Sequence, residues 1–245
     1  MNRVDLVAVA AHPDDAEVGC GGMLALTTRA SSRAVILDLT RGELSTNGTP
    51  GTRAEEACSA ANILGVRRHN LGLPDGEVGT SPGHRDALAD ALRTFRPRVL
   101  LAPYPDGDRH PDHAAAGVLA RQAAFLSGLA KRGTGTPHRP ARVYHYQMHH
   151  PFPPSLVVDI TAVWDVRSAA IAAYDSQFHQ DEDARTTAID GTDFRDALTA
   201  RARMLGGLIG ARYGEAYYCE GPVGLRTLPD LEGADPDPRT YRAFL

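Results

Sequence analysis

The sequence predicts an α/β fold: a Rossmann-like, doubly wound and mostly parallel sheet with flanking helices, extended by extra strands and helices towards the C-terminal end. Three observations predict it. Strand-like and helix-like segments alternate four times before about residue 130, as a parallel sheet with right-handed crossovers requires. The strand-like runs are apolar at nearly every position, as strands covered on both faces are. The chain has 245 residues of near-average composition, enough to bury one substantial core.

Val4 to Ala11 reads as the first buried strand. A loop from His12 to Val18 follows, then a helix from about Gly21 to Ala30. Ala34 to Leu39 is the second strand. Thr52 and Glu55 have the T-x-x-E spacing of a capping box and open a helix to Leu64, stopped by Gly65. Arg67 to Leu71 is a short third strand, and Leu73-Pro74-Asp75-Gly76 is a turn. A helix from about Arg85 to Phe95 precedes Pro97. Val99 to Ala102 is a fourth core strand, and His113 opens an Ala-rich helix reaching about Ala130.

Beyond about residue 134 the pattern changes. Val143 to Gln147 and Leu156 to Ile160 read as strands, and Ala162 to Tyr174 reads as a helix. Gln177 to Asp193 is a long polar loop and a candidate lid, after which Asp193 caps a final helix to about Arg212. The expected organisation is one domain over 1–227 and a Pro/Asp-rich tail over 228–245.

The 26 basic and 30 acidic residues give a net charge of −4 with no basic stripe, which argues against nucleic acid as a partner. No stretch approaches the roughly 20 apolar residues of a membrane span. Cys20, Cys58 and Cys219 are scattered and lack C-x-x-C spacing, which suits a reducing compartment. Met1 to Asp5 leads straight into the first strand without a signal peptide's apolar stretch. The expected location is the cytoplasm.

Two short segments carry the chemistry: Ala11-His12-Pro13-Asp14-Asp15 and His110-Pro111-Asp112-His113. In a sheet of order 3-2-1-4 the first and fourth strands are neighbours, and the loops leaving them meet at the switch point where such sheets bind ligands. His12, Asp15 and His113 then supply two imidazoles and a carboxylate, a hydrolytic zinc set with an open position for water. Fe(II) or another divalent cation suits the same donors. Asp14, beside the ligand Asp15, is free to act as general base on the attacking water. His110 can stabilise the oxyanion and protonate the departing amine, with Asp112 orienting it. Either segment alone would be weak evidence. Two at adjacent strand ends make a site.

Two other classes fit less well. Gly19-Cys20-Gly21-Gly22 follows the first strand and Asp38 ends the second, as in a dinucleotide oxidoreductase. The glycines miss G-x-G-x-x-G spacing, and the paired aspartates ahead of them would repel a pyrophosphate. They are better read as allowing close helix–strand packing. A non-catalytic sugar-binding module would leave Asp14 and Asp112 idle. His145, His149 and His150 read as structural or surface residues, and His69, His84, His138 and His179 give no signal.

A-H-P-D-D near the N-terminus with H-P-D-H about a hundred residues on resembles the PIG-L/LmbE-like zinc N-acetylglucosamine deacetylases. Leu39 to Gly48, Asn70 to Asp75, Tyr174 to Phe178 and Gly214 to Tyr217 extend the similarity and resemble the bacillithiol-biosynthesis branch, the N-acetylglucosaminyl-malate deacetylases. The resemblance implies zinc on His12, Asp15 and His113, Asp14 as general base, and an acid or oxyanion role for His110 supported by Asp112. It implies a small glycoconjugate substrate whose malate carboxylates meet Arg53 and Arg109, since guanidinium forks suit carboxylates. It also implies a homo-oligomer, with hexamers among the relatives. The sequence departs from the family at Phe194, where a Tyr is common, and at Ala16, often a larger residue.

Overall fold

A computed structural model describes residues 3–179 and 185–224. The elements, in chain order, are β1 (Leu6–Ala10), α1 (Asp15–Arg29), β2 (Ala34–Asp38), α2 (Pro50–Leu64), β3 (Arg67–Asn70), α3 (Pro82–Phe95), β4 (Val99–Pro103), α4 (Pro111–Leu126), β5 (Arg142–Tyr146), β6 (Leu156–Asp159), α5 (Trp164–Ala172, after a 3-10 turn), α6 (Asp175–Phe178), α7 (Thr192–Ile209) and β7 (Gly214–Tyr218). They build one seven-stranded sheet of order β3-β2-β1-β4-β5-β7-β6. The expected 3-2-1-4 order is present, and β1 to β5 are parallel to one another.

β1 is buried throughout and feeds both faces of the sheet. Leu6, Ala8 and Ala10 join Leu24, Ala57, Ala60 and Ile171 beneath α1, α2 and α5. Val7 and Val9 join Leu88, Leu92, Leu119 and Ala123 beneath α3 and α4. This two-sided burial explains the unbroken apolar runs. Ala116, Ala120 and Ala123, all buried, let α4 lie close to the sheet. At Gly117 a Cβ would press on the backbone of Pro103 and Pro105, so only glycine permits this approach at the end of β4.

Several boundaries differ from expectation. α1 starts at Asp15 itself, because the turn from His12 is closed from both sides. The His12 N–H donates to Asp15 Oδ2 at 2.9 Å, and the Asp15 N–H to the His12 carbonyl at 3.3 Å. α2 starts at Pro50 with Thr49 as its cap, accepting from the Thr52 N–H at 3.1 Å, so Thr52 lies in the first turn and caps nothing. α4 ends at Leu126. Asp193 lies inside the first turn of α7, and Gly191 holds the cap position. Of the expected long loop, Gln177 and Phe178 belong to α6, and 180–184 lie outside the described residues. The tail over 228–245 also lies outside them.

The expectation lacked β7, which pairs antiparallel with both β5 and β6. It carries Glu215, buried at 5% exposure, and that residue explains α1. The helix is broken at Cys20 (φ −146°, ψ 21°), which frees N–H groups in its middle. The Gly22 and Met23 N–H groups donate to Glu215 at 2.7 and 2.8 Å, and Arg167 Nε pairs with the same carboxylate at 3.2 Å. The glycines of this stretch do serve packing: a Cβ on Gly19 would fall on the Tyr146 ring.

Candidate metal centre and active site

β1 and β4 are adjacent, and the chain leaving each turns into a helix over the same edge of the sheet. On the first side lies the turn His12 to Asp15. On the second, His110 caps α4: its Nδ1 accepts the Asp112 N–H at 3.2 Å, and its carbonyl accepts the His113 N–H at 3.2 Å. The two turns meet. Ring centroids of His12 lie 4.7 Å from His110 and 5.4 Å from His113, and His110 and His113 are 5.1 Å apart.

Asp15 joins the histidines. Its Oδ1 lies 3.1 Å from His113 Nε2 and its Oδ2 3.6 Å from His12 Nδ1. The opposite nitrogen of each imidazole is held by other carboxylates. His113 Nδ1 meets Asp108 Oδ1 at 2.8 Å, and His12 Nε2 lies 3.1 Å from Asp75 Oδ1 and 3.4 Å from Asp112 Oδ2. Each ring thus gives its outer N–H to an acid and turns its other nitrogen inward towards Asp15. That carboxylate–histidine pattern fixes ligand tautomers around a cation. The donor set His12 Nδ1, Asp15 and His113 Nε2 fits a divalent ion of the zinc type, two imidazoles and a carboxylate.

Charge in the cluster follows from these contacts. Burial disfavours the His113 cation, but Asp15 and Asp108 outweigh it and push its pKa up to about 9. Burial opposes ionisation of Asp15 too, yet His113 and His12 hold its carboxyl well below the usual range. For Asp75, burial is outweighed by His12 and by the Leu44 N–H, and its pKa falls to about 2.

Asp14 stands apart from this set. Its backbone is left-handed (φ 114°), an uncommon and strained conformation for a residue with a side chain. Burial pushes its carboxyl up to about 6, against the pull of Arg53. Arg53 Nη2 lies 3.2 Å from Asp14 Oδ2, donates to the Pro13 carbonyl, and its guanidinium sits 5.7 Å over the Tyr174 ring.

The expected residues divide accordingly. His12, Asp15, His113, Asp14 and His110 come together. Asp112 comes with them by a different contact: its carboxylate takes the Gly76 N–H at 2.9 Å and faces His12, while only its backbone touches the His110 ring. Arg53, expected at the substrate, is 2% exposed and engaged with Asp14 inside the protein. Arg109 is exposed beside His110. Phe194 stacks on Phe178 at 5.8 Å and brings no hydroxyl.

Three further residues belong to the site that the sequence does not mark as part of it. Asp75 lies inside a resemblance segment but reads only as a turn. Asp108 is two residues before His110, in a loop with no periodicity to single it out. His149 reads as structural, yet its ring stacks on His113.

Fold and site define a doubly wound α/β protein with a cluster of His12, Asp15 and His113 at its switch point. The chain belongs to the PIG-L family: the description "GlcNAc-PI de-N-acetylase" matches residues 7–124. It is 31% identical over 192 residues to a diacetylchitobiose deacetylase of Thermococcus kodakarensis, covering 72% of this chain and 71% of that protein. It is 30% identical over 236 residues to a 1D-myo-inositol 2-acetamido-2-deoxy-alpha-D-glucopyranoside deacetylase of Streptomyces avermitilis, covering 81% and 80%. The crystal structure of a conserved protein from Thermus thermophilus matches with a TM-score of 0.84 at 43% identity, covering 92% of this chain and 98% of that one. The relatives also include a 4-oxalmesaconate hydratase of Pseudomonas putida, 27% identical over 71% of this chain and 74% of that protein. Family membership alone therefore does not fix the reaction.

Proposed function

We propose that the chain is a divalent-cation-dependent N-deacetylase, zinc being the first candidate, that removes acetate from an N-acetylglucosaminyl conjugate. The carrying observation is the pairing of a His–Asp–His donor set with a separate, strained and buried Asp14. A binding module has no use for a carboxylate held off the cation in that way, and the two sugar deacetylases among the relatives support the substrate class.

The cation, when bound to His12, Asp15 and His113, supplies Lewis acidity that acidifies water and polarises the amide carbonyl. Asp14 takes one proton from the attacking water. Because His110 Nδ1 accepts from a backbone N–H, the neutral ring carries its proton on Nε2 and offers it as a hydrogen bond to the developing oxyanion. Asp14 then hands its proton to the sugar nitrogen as the C–N bond breaks, giving a free amine and acetic acid, whose proton passes to the amine or to solvent. Asp75, Asp108 and Asp112 keep His12 and His113 in orientation throughout.

For the aglycone, malate is the first to test. The resemblance to the bacillithiol branch supports it, and exposed Arg109 beside His110 is a cation within reach of a carboxylate. An inositol aglycone is the second reading, favoured by the match over most of the Streptomyces relative. Acetate release from N-acetylglucosaminyl malate, its inositol counterpart and diacetylchitobiose, with cation added and chelated, separates them. Cation-dependent release from at least one is expected. Release from none, by protein with its cation bound, would overturn the deacetylase assignment. Self-association is carried forward from the resemblance and is checked by sedimentation.

A further inference from the structure

After β5 the chain runs through Gln147 to His150, and it places at the site a histidine that the proposed mechanism does not use. The His149 backbone is anchored: its N–H donates to Asp108 Oδ2 at 3.0 Å, while the other oxygen of that carboxylate holds His113. Its half-buried imidazole lies nearly parallel to the His113 ring, with centroids 5.5 Å apart and planes at 19°. Phe194 stands 6.3 Å away and offers an apolar wall without a donor. Among the described residues neither ring nitrogen of His149 has a hydrogen-bond partner, and neither is sealed from solvent.

One alternative use is ligation, because Asp108, His113 and His149 each bring an atom within 4.8 Å of the others. It conflicts with the contacts made. Both nitrogens of His113 are already committed, Nδ1 to Asp108 at 2.8 Å and Nε2 to Asp15 at 3.1 Å. His149 is better placed as a donor or acceptor towards something arriving from solvent.

Resting on the deacetylase reading, we infer that His149 is a substrate-contacting residue that hydrogen-bonds a hydroxyl of the amino-sugar conjugate while its ring face packs on His113. A sugar presents hydroxyls in several directions, and Phe194 can satisfy none of them. His149 is already oriented by its stacked ring and anchored backbone, so little freedom is lost on binding. Such a contact also discriminates: a conjugate lacking that hydroxyl leaves a polar ring unpaired.

The test compares wild type with His149→Phe, which keeps a stacked ring but no nitrogen, and His149→Gln, which restores a polar group. His149→Ala serves if Phe does not fit. Cation content, kcat and KM are measured, together with calorimetric Kd for the deacetylated amino-sugar product, which needs no turnover. With Phe, the cation stays at the wild-type level, kcat stays within about threefold, and KM and Kd rise about tenfold, the scale of one hydrogen bond; Gln recovers part of the loss. Unchanged KM and Kd in the Phe and Ala variants would overturn the contact. So would loss of the cation, which would make His149 a ligand. Wild-type protein that binds the amino sugar without hydrolysing the conjugate would overturn the reaction alone, and the Kd ratio would still decide His149. Wild type that binds no amino sugar would overturn both.

Discussion

Asp14 and Asp15 are neighbours in sequence with opposite surroundings. Asp15 faces two imidazoles, which hold it ionised. Asp14 is turned away by its left-handed backbone, buried, and paired with Arg53. Asp14→Asn should keep the cation at the wild-type level and lower kcat about 10²–10⁴-fold, the usual span for a general base. Comparable activity in that variant would remove Asp14 from the mechanism. His113 makes a second prediction. Its pKa in the folded, cation-free protein is about 9, against 6.5 unfolded. Its contribution to stability is therefore fully present below pH 6.5 and lost as pH rises through 9. Cation binding at pH 7 must displace that proton, so calorimetry in buffers of different ionisation enthalpy should show proton release that shrinks above about pH 9. Release independent of pH would contradict the arrangement. At this scale the meeting of His12, Asp15 and His113 was legible from spacing, whereas the approach of Asp75, Asp108 and His149 was not: they reach the cluster through loops, where no periodicity reports direction.

At the scale of elements, β1, β2 and β4 were legible because burial on both faces forces an apolar run. β7 was not, since Gly214-Glu215-Ala216-Tyr217-Tyr218 opens with a glycine and a charge inside a five-residue strand. That charge has a structural role. Glu215 satisfies the N–H groups released at the Cys20 kink and pairs with Arg167, joining β7 to α1 and α5. Glu215→Ala leaves a buried guanidinium and two N–H groups without their acceptor, a change that costs about 3–5 kcal/mol. Denaturant unfolding of the variant measures it, and a loss under about 1 kcal/mol would show that the kink is held by other contacts. The start of α1 escaped sequence reasoning for a related reason. His12 and Asp15 close their own turn, so the helix begins at a metal-type residue and not at the glycines.

For the whole molecule, the strand order brings the two histidine–aspartate motifs together. A doubly wound sheet reverses direction between β1 and β4, and the segments leaving those strands must share one edge. Two motifs about a hundred residues apart can be joined on that rule from sequence alone. The antiparallel end of the sheet, β5-β7-β6, cannot, because no comparable rule orders strands beyond the crossover units. Among the described residues no helix is long and apolar enough to cross a membrane. The most direct test is anomalous diffraction from crystals of zinc-loaded protein. A single strong peak coordinated by His12 Nδ1, Asp15 and His113 Nε2, with Asp14 outside the ligand set, is the predicted result. No peak between those two turns, or a cation ligated by Asp14 in place of Asp15, would contradict it.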